Sequence, residues 1–186
     1  MREVEQILEE LRIKPILDDS FCSLDDTEIE QLESRLERSL PEEYKFFLKR
    51  YGVSTFEDSV GFIPLVKLPP HISNDRKGYF DYFYGSAEAD YDVTLTLQWN
   101  LTTYAGRVPE NIIPIGSDIG GNLVCLGIKG DQEGKIYYWD AENEQDQEEY
   151  LESRGSLEEN WEFHNVYLIS NTFKDFLMCL EVLADV

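Results

Sequence analysis

The chain has 186 residues, with 16 Lys and Arg against 38 Asp and Glu, and so a formal charge of −22. So acidic a surface repels phosphate backbones and anionic lipid, which argues against direct binding to nucleic acid or a membrane and favours a basic partner. At 42% hydrophobic and 13% aromatic residues it can fill a core, unlike an acidic disordered tail, and its length suits one domain.

No apolar run approaches the ~18 residues of a membrane span. The first residues, Met1 to Glu5, carry acids where a signal peptide needs bases and an apolar stretch. The three cysteines, Cys22, Cys125 and Cys179, stand far apart and form no CxxC pair. That usage predicts a reducing, cytoplasmic setting with free thiols.

Val4, Ile7, Leu8 and Leu11 form one apolar stripe, predicting a short first helix that ends before Pro15. Residues 15–26 read as a loop. Thr27 and Glu30 have capping-box spacing, and Ile29, Leu32 and Leu36 give that second helix its inner face. Pro41 suits the first position of a third helix, with Tyr44, Phe47, Leu48 and Tyr51 facing inward and Gly52 past its end. Residues 61–66 and 79–84 read as strands. In the second, alternation sets Tyr79, Asp81 and Phe83 against Phe80, Tyr82 and Tyr84. Asp92 is placed to cap a helix carrying Val93, Leu97 and Leu101.

A meander follows, with strands over 112–115, 123–128 and 135–139 joined by glycine-containing turns. Residues 141–159 read as a loop or a solvated helix, 166–169 as a strand, and Ser170 or Asn171 as the cap of a last helix. Strands cluster instead of alternating with helices, so the fold class is α+β: a mostly antiparallel β-sheet with helices packed around it.

Catalytic and metal signatures are weak. His71 and His164 pair with no cysteine at ligand spacing, and neither HExxH nor GxSxG occurs. Gly120, Gly121 and Asn122 form a strand-linking turn, without the lysine or helix start of a phosphate loop. Asp131 to Gly134 lacks the alternating acids of a calcium loop. Carboxylate pairs such as Asp90 with Asp92, or Glu142 with Glu144, arise by composition in so acidic a chain. No catalytic residue, metal or cofactor is expected. The tyrosine-rich strand reads equally as a half-buried strand or as an interface. From Asp131 to Glu162 twelve acids face only Lys135 and Arg154, a solvated loop or a landing pad for a basic partner.

Leu40-Pro41-Glu42-Glu43-Tyr44 through Leu48, closing in Tyr51-Gly52, resembles the LPxxYxxFL helix of the SUKH superfamily. Ile113 to Asn122 resembles its Pro-Ile…Asp…Gly-Gly-Asn segment. Gly134 to Asp140 resembles its Trp-Asp hairpin, and Phe173 to Leu177 its closing helix. The chain departs at Tyr51, where the family often has Asn, and at Ala141, where it has His. That superfamily includes fungal cell-wall assembly regulators and bacterial immunity proteins. The resemblance implies an α+β fold over 27–182, with 1–26 as an N-terminal extension and 141–162 as an acidic insertion. It implies structural roles for Pro41, Tyr44, Pro114, Asp118, Gly120, Gly121, Asn122, Trp139 and Asp140.

It also implies a cytoplasmic antidote, a monomer or weak dimer, that neutralises a basic protein toxin by binding, without enzymatic chemistry. Expected contact residues are Asp81, Tyr82, Tyr84, Asp90, Tyr91 and Asp92 in one region, and Glu142, Glu144, Asp146, Glu148 and Glu149 in another. The competing readings are a regulatory interaction module and a carboxylate enzyme acting on a glycan or cationic substrate.

Overall fold

The apolar runs of the chain pair into one eight-stranded antiparallel sheet, seen in a computed structural model that describes residues 1–16, 22–72, 77–86 and 92–183. The strands are β1 (Ile13–Pro15), β2 (Ser54–Phe62), β3 (Gly78–Phe83), β4 (Ile112–Ser117), β5 (Leu123–Gly127), β6 (Ile136–Trp139), β7 (Val166–Ser170) and β8 (Leu180–Val182). Their order is β1-β2-β3-β4-β5-β6-β7, and β8 also pairs with β2. The six helices are α1 (Arg2–Glu10), α2 (Asp26–Leu36), α3 (Glu42–Arg50), α4 (Leu97–Thr103), α5 (Gln147–Arg154) and α6 (Phe173–Cys179). The α+β class and the antiparallel sheet are as the sequence predicts.

The meander is the centre of the molecule. Every residue of β4, β5 and β6 is buried, so both faces of the sheet are covered there. Residues of β6 alternate between the two faces. Tyr138 packs 5.8 Å from Phe62, while Tyr137 packs on Phe163 and Trp139 on Tyr104. Against one face lie α1, α3 and α6. Phe83 is the hub there, 4.4 Å from Phe47 and 4.5 Å from Phe80, with Phe173 and Phe176 edge-on to it. Such edge-on pairs contribute ~0.5–1.5 kcal/mol each beyond the area they bury.

Several local expectations shift. The capping box that forms is Asp25 with Glu28, not Thr27 with Glu30. Leu24 before the cap and Ile29 after it are both buried, a hydrophobic staple that a start at Thr27 would lack. Pro41 is the cap of α3, with φ −56° and ψ 141°, and not its first helical residue. Gly52 follows at φ +57°, where an added Cβ would sit 1.8 Å from the Cys22 carbonyl oxygen, so only glycine fits. The strand expected over 61–66 runs over Ser54–Phe62, and residues 13–15 form an unexpected strand between the first helix and the expected loop. The helix expected after Asp92 splits into a single turn, Val93–Leu95, and α4, which Thr96 caps. Thr172, rather than Ser170 or Asn171, caps α6.

The alternation expected in β3 also breaks: Phe80 and Phe83 are both buried. Between Thr55 and Val60 the long strand β2 carries a bulge opposite β3, which re-aims the faces on either side of it. α1 belongs to the core, burying Val4 and Leu8 and packing on α6.

Candidate functional site: two acidic clefts at one end of the sheet

The pairs Ser117–Leu123, Leu123–Trp139 and Trp139–Val166 bring the ends of β4, β5, β6 and β7 to one end of the sheet. There the chain must leave regular pairing, and side chains take over its hydrogen bonds. Asp118 is buried. Its Oδ1 accepts from Asn122 N (2.9 Å), and its Oδ2 from Asn122 Nδ2 (2.9 Å) and from the Tyr138 hydroxyl. Burial first, and then the Asp118 charge, push Tyr138 well above the ordinary phenol range. Gly121 closes this turn at φ +85°. Asn122 Oδ1 accepts from Ala141 N (3.0 Å), so the β4–β5 turn is fastened to the exit from β6.

Asp140 continues the network at 1% exposure. Its Oδ2 accepts from His71 Nε2 (2.7 Å) and Asn143 Nδ2 (2.8 Å), and its Oδ1 from Glu142 N (3.2 Å). Its backbone N–H donates to the Asn165 carbonyl (2.9 Å), and its own carbonyl accepts from Asn165 Nδ2 (2.8 Å). His164 spans the next gap, with Nδ1 2.8 Å from the Trp161 carbonyl and Nε2 2.8 Å from the Asn143 carbonyl. The acidic segment therefore lies on a stiff frame.

On that frame stands α5. Asp146 caps it, accepting from the N–H groups of Glu148 and Glu149, and Glu149 reaches back to Asp146 N. The one buried residue of α5, Tyr150, packs edge-on to His164 at 5.2 Å and tilted on Trp161 at 6.0 Å. Glu144 holds Arg107 through two hydrogen bonds, Nε at 2.8 Å and an Nη at 2.6 Å. The Arg107 guanidinium lies over Tyr104 and Trp139, at 4.8 and 5.8 Å from the ring centres.

Two clefts open here and share Glu144, Gln145 and His164. The larger, about 790 Å³, is lined by both histidines and by Glu142, Glu149 and Glu152 among others. The smaller, about 350 Å³, lies between residues 106–109, the start of α5 and residues 161–165.

Of the second expected contact region, Glu142, Glu144 and Glu149 line the larger cleft, Glu144 and Asp146 the smaller, and Glu148 is exposed beside them. The first region is different. Asp81 and Tyr82 are half-buried, and Tyr84 is buried at 3% exposure, 5.7 Å from the Tyr82 ring. Asp92 is exposed and accepts from Thr94 N and Oγ1, which hold its carboxyl below the usual range. Burial, aided by the Asp118 charge, raises Asp81. None of these four lines either cleft, and Asp90 and Tyr91 lie outside the described residues. His71, Arg107, Asn143, His164 and Asn165 were not expected at the site. They join it across gaps of up to 72 residues, which leave no local signal.

Residues 23–179 match the model of the SMI1/KNR4 family (SUKH-1). The chain belongs to the SMI1/KNR4 family. It is also 31% identical to the SPbeta prophage-derived uncharacterized protein YokK of Bacillus subtilis (strain 168), over 96% of this chain and 84% of that one. The SMI1/KNR4 motif residues are here mainly structural. Pro114, which has no N–H to donate, sits at the β4 bulge, opposite Cys125. Trp139 is buried at 1% exposure, and Tyr44 is fully buried, edge-on to Phe173 at 5.1 Å. Asp118, Gly121, Asn122 and Asp140 build the frame described above, and a Cβ at Gly120 would sit 3.2 Å from Asp118 Oδ1. No helix of the described residues is long and apolar enough to cross a membrane.

Proposed function

We propose that this protein is an immunity protein that binds one cognate protein toxin, a basic nuclease-type effector, and blocks it without chemistry of its own. The observation that carries this reading is the acidic rim: Glu142, Glu149 and Glu152 border an open cleft on a frame of buried hydrogen bonds. A rim of Glu142, Glu144, Glu149 and Glu152 against Arg154 alone is predominantly acidic, and such a rim steers a basic surface into register and rejects acidic ones. The net charge of −22 extends that field over the molecule. Membership of the SMI1/KNR4 family (SUKH-1), whose superfamily includes bacterial immunity proteins, and a prophage-derived relative support the same reading. The antidote works in the cytoplasm, on a toxin that has entered the cell.

The test is growth rescue on co-expression with candidate toxins from the same genome, followed by association kinetics with the one rescued. Reversing Glu142, Glu148 and Glu152 to Lys together leaves the Arg107–Glu144 pair and the Asp146–Glu149 capping box intact. It should slow association about tenfold or more at low salt, with the gap closing as salt rises. Unchanged association at low salt would overturn the assignment of this rim. Capture of an endogenous regulatory protein, with no toxin rescued, would favour an interaction module of the cell-wall regulator type.

A further inference from the structure

We propose that the smaller cleft is a receptor for a single arginine side chain of the protein partner. This rests on the partner-binding reading above and names the chemistry that one of its clefts accepts.

The decisive atom is Asn165 Oδ1. Asn165 lines the cleft at 1% exposure, and its Oδ1 is buried without a hydrogen-bond donor among the described residues. Its amide cannot turn over to find one. Nδ2 donates to the Asp140 carbonyl at 2.8 Å, and a flip would set oxygen against oxygen. The backbone is held as well, by Asp140 N on the Asn165 carbonyl. A fixed, buried, unsatisfied acceptor is costly, and a donor arriving with a partner recovers that cost.

The rest of the lining selects the donor. Glu162 borders the cleft, is exposed, and forms no ion pair among the described residues. The one arginine or lysine in the lining, Arg107, is already paired with Glu144, and both ring nitrogens of His164 are turned to backbone carbonyls. An anion finds no welcome at the start of α5, because the Asp146 side chain already accepts from the N–H groups of Glu148 and Glu149. Val108, Pro109 and Trp161 supply apolar wall for a methylene stem. A guanidinium has donors enough for Oδ1 and the Glu162 carboxylate together, and a flat face for an aromatic ring. The compact ammonium of lysine lacks that planar face.

The experiment uses the full chain, labelled with 15N. It is titrated separately with Nα-acetyl-arginine amide, its neutral citrulline counterpart and Nα-acetyl-lysine amide. The arginine compound should give saturable shifts at the Asn165 side-chain amide and the Trp161 indole. Citrulline should bind about tenfold more weakly, since it loses the charge-assisted bonds, and lysine should fall between. Glu162→Gln, an exposed change that leaves the fold intact, should weaken arginine severalfold. Three results would each overturn the proposal. One is an equal response to citrulline. Another is shifts spread over exposed carboxylates with the Asn165 amide unmoved. The third is a tightly held water on Asn165 that arginine does not displace. Arginine binding without protection against any toxin would leave the cleft assigned and remove the immunity reading. Toxin protection with no arginine response would do the reverse.

Discussion

The two sides of this molecule are held by different physics. Around Phe83, rings from α3, α6, β2 and β3 pack edge to face, and nothing there depends on the direction of a proton. At the end of the sheet, the carboxylates of Asp118 and Asp140 accept six hydrogen bonds, and those from Tyr138 and His71 tie together segments 20 and 69 residues apart. The first arrangement supplies most of the stability and tolerates similar shapes. The second supplies position, which an acidic rim needs if it is to match a partner.

The largest expected effect lies on the aromatic side. Phe83→Ala should lower stability by ~3–5 kcal/mol, because it removes the hub of the cluster and leaves a cavity. Denaturant titration measures this, and a loss below about 1 kcal/mol would mean that the cluster repacks and the contrast between the sides is false. Next comes Asp118→Ala at ~2–3 kcal/mol, since it strands the buried Tyr138 hydroxyl. Adding Tyr138→Phe should recover part of that loss, and a double variant less stable than the single one would show that the hydroxyl has another partner.

Salt separates the sides further. Raising ionic strength to ~0.1 M, where the screening length is ~10 Å, should lift the melting temperature by about a few degrees. A flat response would mean that the charges are already balanced locally. The smallest effect is expected at Asp81. Its folded pKa is raised, so ionisation works against the fold as pH climbs from the unfolded carboxylate value near ~3.9 through the folded one. Asp81→Asn should therefore be slightly the more stable protein at pH 7, and the advantage should vanish in acid. An advantage that persists below pH ~3 would assign the gain to something other than charge.

What the sequence makes legible is what repeats locally. The meander, its glycine turns and the inward faces of α1, α3 and α6 follow from periods of two and of 3.6. The three-residue strands β1 and β8 are too short to show a period, and β2 pairs along its outer edge with both. The start of α2 was readable in finer detail than a capping box alone allows, because only Asp25 places Leu24 and Ile29 where a staple closes. The clefts were legible in charge and not in shape. Glu142, Glu144 and Glu149 announced the rim, but the partners that hold it come from elsewhere. Arg107 meets Glu144 across 37 residues, and His71 meets Asp140 across 69.

The pairing of β8 with the far half of β2 bears on how the protein is made. Synthesis delivers β2 early, yet one edge of its second half has no neighbour until residues 180–182 emerge. α1 likewise waits for its neighbour α6, more than 160 residues later in the sequence. The nascent chain therefore carries an open strand edge and an uncovered apolar helix for most of its translation. Chaperone occupancy on ribosome-bound chains should persist until residues 173–182 clear the exit tunnel, and then fall within a few residues of elongation.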